Sequence, residues 1–128
     1  SPDADNIVES TFNLLKEALP NVKYIAMTMR KQESASANQY IGYLWSGEKI
    51  YTSQPYHIQH IAERIGAGDA FMAGLIHSLK TKASPEEAIG FATACGVIKH
   101  SITGDFNIAV KEEIDTVIQQ RGSGRIIR

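Results

Sequence analysis

A single cysteine and a near-absence of net charge set the first limits on this 128-residue chain. Cys95 has no partner for an internal disulfide, so the chain is not a small disulfide-stapled scaffold. It lies inside an apolar helical pattern and reads as a buried thiol in a reducing compartment. No apolar run approaches the roughly 18 residues a membrane helix needs, and no charged-then-apolar leader opens the sequence. A cytoplasmic location without a membrane partner is expected. Thirteen Lys and Arg against fourteen Asp and Glu leave a formal charge of −1, so no basic excess is available to grip a nucleic acid. Metal ligands are equally sparse. His57 and His60 face opposite ways on an extended segment, and no acid or Cys stands at ligand spacing from them.

What is present is an ordinary globular composition, 43% hydrophobic, in a length that makes one domain, residues 1–128. Ser1, Asp3 and Asp5 precede an apolar face of Ile7, Val8, Phe12, Leu15 and Leu19, which predicts a helix ended by Pro20-Asn21. Val22 to Met29 is short, apolar and rich in strand formers, as in a buried strand of a mostly parallel sheet. Such a strand delivers Thr28, Met29 and Arg30 to its carboxyl end, the usual ligand side of an open α/β sheet. Lys31 to Gln39 is polar and reads as a mobile loop. Tyr40 to Trp45 and Lys49 to Ser53, joined by Ser46-Gly47-Glu48, read as a β-hairpin. Its rings, Tyr40, Tyr43, Trp45 and Tyr51, serve either cross-strand packing or stacking on a base. Pro55 to Ile61 is a connector or edge strand.

The stretch that carries chemistry is Glu63-Arg64-Ile65-Gly66-Ala67-Gly68-Asp69-Ala70-Phe71. Two glycines permit a tight turn and close approach of the backbone to a ligand. Beyond them Phe71, Met72, Leu75, Ile76 and Leu79 recur at helical spacing. A helix start fed by a glycine turn presents unpaired N–H groups and partial positive charge, which suits a phosphate. Asp69 beside it either takes a proton from a hydroxyl under attack or only complements the helix dipole. Downstream, Ser84-Pro85-Glu86-Glu87 is a capping box opening a helix to about Lys99. Its face of Ala88, Phe91, Ala92, Cys95 and Ile98 contains small residues that allow close approach. Thr103 to Phe106 reads as a turn, and Val110 to Gln120 as a final amphipathic helix. Gly122 to Arg128 is a basic tail.

Gly66-Ala67-Gly68-Asp69, then Phe71 and the small pair Ala73-Gly74, resembles the second signature of the ribokinase-like sugar kinases, the PfkB carbohydrate kinase family. Ser84 to Ala88 and Phe91 to Gly96 resemble the family's last-but-one helix, so the likeness covers residues 23 to 128. It implies a ribokinase-like α/β layered fold, with ATP and Mg2+ used to phosphorylate a sugar hydroxyl. Asp69 would be the catalytic base, and the Gly66, Ala67 and Gly68 amides the anion hole. Thr28 and Thr93 would contact the nucleotide, and Arg30 would lie near its phosphates. Glu63 stands where the family usually has Asp and is the candidate for organising magnesium. Arg64 replaces a small hydroxyl, and Thr93 replaces Asn. Thr28-Met29-Arg30, in place of Thr-x-Gly, and the acid-Arg pair Glu63-Arg64 resemble the branch acting on 2-keto-3-deoxygluconate. Fructokinase or ribokinase types are the alternative.

Members of the family are considerably longer. The chain therefore reads as the C-terminal nucleotide-binding part of such a kinase, inactive alone, whose sugar or sugar-acid partner is held mainly by a part that precedes it. A different class of function also remains: a non-catalytic nucleotide-binding module, associating with itself through faces the missing part would cover.

Overall fold

The structure, a computed structural model, describes residues 2–32, 38–58, 66–100 and 118. It opens with helix α1 (Pro2–Ala18), followed by strands β1 (Ile25–Gln32), β2 (Asn38–Trp45), β3 (Ile50–Thr52) and β4 (Tyr56–Ile58). Helices α2 (Ala67–Lys80) and α3 (Pro85–His100) follow, and Ile118 is helical.

Strand β2 is the axis of the sheet. On one side it pairs antiparallel with β1 over the whole run from Ile25↔Trp45 to Gln32↔Asn38. On the other side β3 pairs with residues 43–45 of β2 and β4 with residues 38–40, so those two short strands lie end to end along one edge. Ser53 spans the break between them. Its N–H donates to the Gly42 carbonyl at 2.8 Å, and its Oγ accepts from the Gly42 N–H at 2.9 Å. The predicted hairpin is thus β2 and β3, with Gly47 at a left-handed φ of 106° in the turn.

The alternation of side chains along β2 sorts the layers. Ile41, Tyr43 and Trp45 join Ile25, Met27 and Met29 of β1 against Val8 and Phe12 of α1. Fully burying an aromatic or aliphatic chain of this size contributes roughly 1.5–3 kcal/mol, so Val8 and Phe12 hold α1 to the sheet. On the opposite face Tyr40 packs with Ala94, Cys95 and Val97, and Leu44 with Phe71, Leu75, Ala88 and Ile89. Gly42 lets α3 lie directly on the strand: a Cβ there would stand 2.1 Å from Thr93 Oγ1. The result is a three-layer α/β arrangement, α1 on one face and the α2–α3 pair on the other, as the resemblance implied.

Three expectations need correction. The strand expected at Val22–Met29 begins at Ile25 and runs on to Gln32, because the β2 backbone supplies a pairing partner as far as Asn38 whatever the polarity of the side chains. Its pairing is antiparallel where a parallel sheet was expected. With α1 over one face and α2–α3 over the other, both faces of the strand carry apolar residues, and this continuous run would look the same in either direction. The loop expected over Lys31–Gln39 is strand at both ends, residues 31–32 and 38–39. The turn at Thr103–Phe106, the tail and all but Ile118 of the last helix lie outside the described residues.

Helix α3 begins as the sequence required. Glu87 N–H donates to Ser84 Oγ at 3.1 Å, and Ser84 N–H donates back to Glu87 Oε1 at 3.4 Å. The first buried turn of α3 carries Ala88 and Ile89 onto the sheet. The N-terminal α1 face is only partly used: Val8 and Phe12 are buried, whereas Ile7, Leu15 and Leu19 remain exposed.

Candidate active site

Gly66 adopts φ 86°, ψ −4°, the left-handed conformation that residues with a Cβ avoid, and it caps α2. Among the described residues no side chain bonds the cap. The first intrahelical bond is Ala70 N–H to the Gly66 carbonyl at 2.9 Å, so the amides of Ala67, Gly68 and Asp69 precede the helical ladder. Ala67 is buried and holds this turn to the body of the protein, while Gly68 and Asp69 are exposed. A Cβ at Gly68 would meet nothing within 4 Å. Asp69 therefore stands at the positive end of a helix dipole, beside amides that no side chain among the described residues caps.

The pairing of α2 with α3 decides what else reaches this end. Gly74 sits opposite Ala92 and Cys95, and three residues further along α2 the His77 ring meets Phe91 with centroids 5.8 Å apart. The two helices are therefore antiparallel, and the start of α2 lies by the end of α3, where Lys99 and His100 sit. Both are buried. On the sheet, Tyr40 packs beneath Gly96, whose Cβ would stand 2.6 Å from the Tyr40 hydroxyl. Arg30 is the register partner of Tyr40. Ala26, Thr28 and Arg30 of β1 alternate onto the same face as α2 and α3, opposite to Ile25, Met27 and Met29.

Thr28 stands close enough to the Tyr40 side chain to offset part of the effect of burial on it. The Arg30 guanidinium lies 5.9 Å from the Tyr40 ring centre and bonds the His100 imidazole through Nη2 and Nε2. Burial pushes the Tyr40 hydroxyl above its ordinary range, so this ring is a neutral platform. Thus Arg30 and the start of α2 lie toward one end of the layered unit, while Thr28, the register partner of Gly42, sits mid-strand. His100 and Tyr40 join Arg30 there: Tyr40 is one of the rings read as packing across strands or stacking on a base, whereas nothing in the sequence context of His100 marked it, and only the strand register and the antiparallel helix pairing bring the two in.

Thr93 sits over Gly42, the register partner of Thr28. It is wholly buried, its hydroxyl donates to the Ile89 carbonyl at 2.7 Å, and it fills the space over Gly42, so it faces the sheet. Glu63 and Arg64 lie outside the described residues. Cys95 is packed against Gly74, and burial pushes its thiol up to about 12, which keeps it protonated and inert at neutral pH. Among the described residues there is no group of three or more His, Cys, Asp or Glu able to hold a metal, and no helix long and apolar enough to cross a membrane.

Comparison with known proteins decides the family. Residues 8–109 match the pfkB family carbohydrate kinase pattern. This chain belongs to the pfkB family of carbohydrate kinases. The match begins within α1, ahead of the point where the sequence resemblance starts. A solved pfkB family carbohydrate kinase from Listeria grayi is 32% identical, with a TM-score of 0.79 over 84% of this chain and 34% of its own. The 2-dehydro-3-deoxygluconokinase of Thermotoga maritima is 30% identical, with a TM-score of 0.77 over 84% of this chain and 32% of its own. A 1-phosphofructokinase from Haemophilus influenzae is 35% identical over 54 residues, 41% of this chain and 17% of that protein. The chain thus spans about a third of the length of the solved pfkB relatives.

Proposed function

We propose that this chain is the C-terminal, nucleotide-binding part of an ATP-dependent sugar kinase, with Asp69 as the base that deprotonates the acceptor hydroxyl. The observation that carries the reading is the left-handed Gly66 feeding an uncapped helix whose exposed first turn holds Asp69. Such a start suits a polyphosphate: the amides ahead of the helical ladder lie where anionic oxygens gain most from the dipole, and Arg30 adds positive charge at the same end. Bound ATP, carried as its Mg2+ complex, would supply the phosphoryl group. The amides of Gly66, Ala67 and Gly68 would hold the charge that develops on the phosphate oxygens. Asp69 would accept the proton of the sugar hydroxyl, Arg30 would neutralise phosphate, and Thr28 would contact the nucleotide. Thr93 is given a packing role under Gly42, since its hydroxyl is engaged by Ile89. Glu63 is proposed to organise the magnesium.

The preferred acceptor is 2-keto-3-deoxygluconate. The Thr28-Met29-Arg30 pattern supports it, as does likeness to a solved 2-dehydro-3-deoxygluconokinase. The local likeness to a 1-phosphofructokinase supports a different sugar as alternative. A non-catalytic, self-associating module is the second reading, favoured by Met72 and Ile76, which are 46% and 50% exposed on one face of α2.

The test is ATP-dependent phosphorylation by the full-length protein across ketodeoxygluconate, fructose and ribose, with Asp69→Asn alongside. Removal of a general base costs about 10²–10⁴-fold in turnover, and a loss of that size is expected with ATP affinity retained. Undiminished turnover in Asp69→Asn would remove Asp69 from the chemistry. ATP binding with no turnover of any sugar would favour the module.

A further inference from the structure

The kinase reading gives Arg30 a task, and the structure shows how that side chain is aimed. His100 closes α3 and is wholly buried. Its Nδ1 lies 2.6 Å from the Gly96 carbonyl oxygen. A carbonyl can only accept, so Nδ1 carries the proton, and the neutral ring turns the lone pair of Nε2 outward. Arg30 Nη2 donates to that lone pair. The Tyr40 ring stands edge-on to the imidazole, centroids 5.0 Å apart at 67°, and also lies under the guanidinium. Tyr40 itself is fixed by its close fit against Gly96.

We propose that His100 is a positioning residue: fixed in one tautomer by Gly96, it orients Arg30 toward a nucleotide phosphate bound at the start of α2. The inference rests on the kinase reading above. Its physical logic is that an imidazole acceptor aims the guanidinium without neutralising it, as a carboxylate in the same place would. Pre-aimed donors lose less side-chain freedom when a ligand arrives, so the benefit appears as affinity for the phosphate chain alone. Arg30 lies on β1 and His100 ends α3. Their contact links the sheet to the helix layer at the end where the phosphates would sit.

The experiment measures affinity for ATP and for adenosine in the full-length protein, with Arg30→Ala, His100→Leu, the double variant and His100→Gln. Loss of a charge-assisted contact weakens binding on the order of tenfold. Arg30→Ala and His100→Leu should each lower ATP affinity by that factor and leave adenosine affinity unchanged. The double variant should be no weaker than Arg30→Ala alone, because His100 acts through Arg30. His100→Gln, whose amide can donate to Gly96 and accept from Arg30, should restore most of the affinity. Equal losses for ATP and adenosine, additive losses, or an ATP affinity indifferent to His100→Leu or to Arg30→Ala would overturn the proposal. Should the leucine variant fail to fold, ring 15N shifts of His100 in the unaltered protein decide: a proton on Nε2 overturns the inference, and one on Nδ1 upholds its premise. Failure of the kinase reading is separately visible, as absent ATP binding or as undiminished turnover in Asp69→Asn.

Discussion

Helices α2 and α3 lie side by side, yet they start in opposite ways. The first turn of α3 is closed by its own side chains, Ser84 and Glu87 each satisfying the other's backbone N–H. The first turn of α2 has a left-handed glycine for a cap and, among the described residues, no side-chain bond to it. A capping box adds stability to the helix it opens, and it also occupies the donors an anion would need. Leaving α2 uncapped sacrifices that stability, and the sequence then places an acid in the exposed first turn. The contrast separates a helix start that serves the fold from one that is open to a ligand.

The sharpest way to break the contrast is Gly66→Val. A β-branched residue forced to φ 86° costs roughly 1–2 kcal/mol, and it turns the amides away from the ligand. We expect a fall in the midpoint of chemical unfolding together with an ATP affinity lowered by tenfold or more. Retained ATP affinity would show that the α2 start does not hold phosphate. Ser84→Ala removes the α3 cap, for a loss of about 1 kcal/mol in stability. Its ATP affinity and turnover should stay as they were, and a change in either would erase the distinction between the two starts. Gly68→Ala should split stability from function. The added methyl meets no atom within 4 Å and a helix prefers Ala by up to about 1 kcal/mol, so thermal stability should rise slightly. The same methyl should weaken ATP binding, by intruding where the phosphate approaches.

The smallest effect concerns the seam between the two helices. The raised Cys95 means that the folded state keeps its proton where the unfolded thiol, near 9.0, has lost it. Its contribution is therefore intact below about pH 9 and declines as pH rises from there toward about 12. Stability measured across that range should fall in the unaltered protein and fall less in Cys95→Ala.

Much of this arrangement was legible in the residues. Gly66-Ala67-Gly68-Asp69 announced a turn into a helix, and the Ser84–Glu87 spacing announced a cap, because both depend on neighbours close in the chain. The hairpin of β2 and β3 was readable for the same reason. Strand direction was not, since burial on both faces erases the alternation that would have revealed it. Nor was the destination of Thr93, which depends on Gly42 lying fifty-one positions earlier and leaving room for its hydroxyl. The part of His100 was hidden in the same way. Nothing near it in sequence points to Arg30, and only the register Arg30↔Tyr40, with Tyr40 beneath Gly96, brings the two together.

The space above Gly42 also bears on how the chain avoids misfolding. A strand that slips by one residue turns its inward side chains outward, and a slip of two keeps the faces but moves every residue along. In β2 either error would put a side chain where Thr93, Ile89 and Phe71 leave room for none. Tyr40 or Leu44 would have to occupy a place too small for a methyl group. One missing carbon atom thus acts as a key that fits β2 to the helices in a single alignment, and β1, β3 and β4 are all built on the strand so fixed.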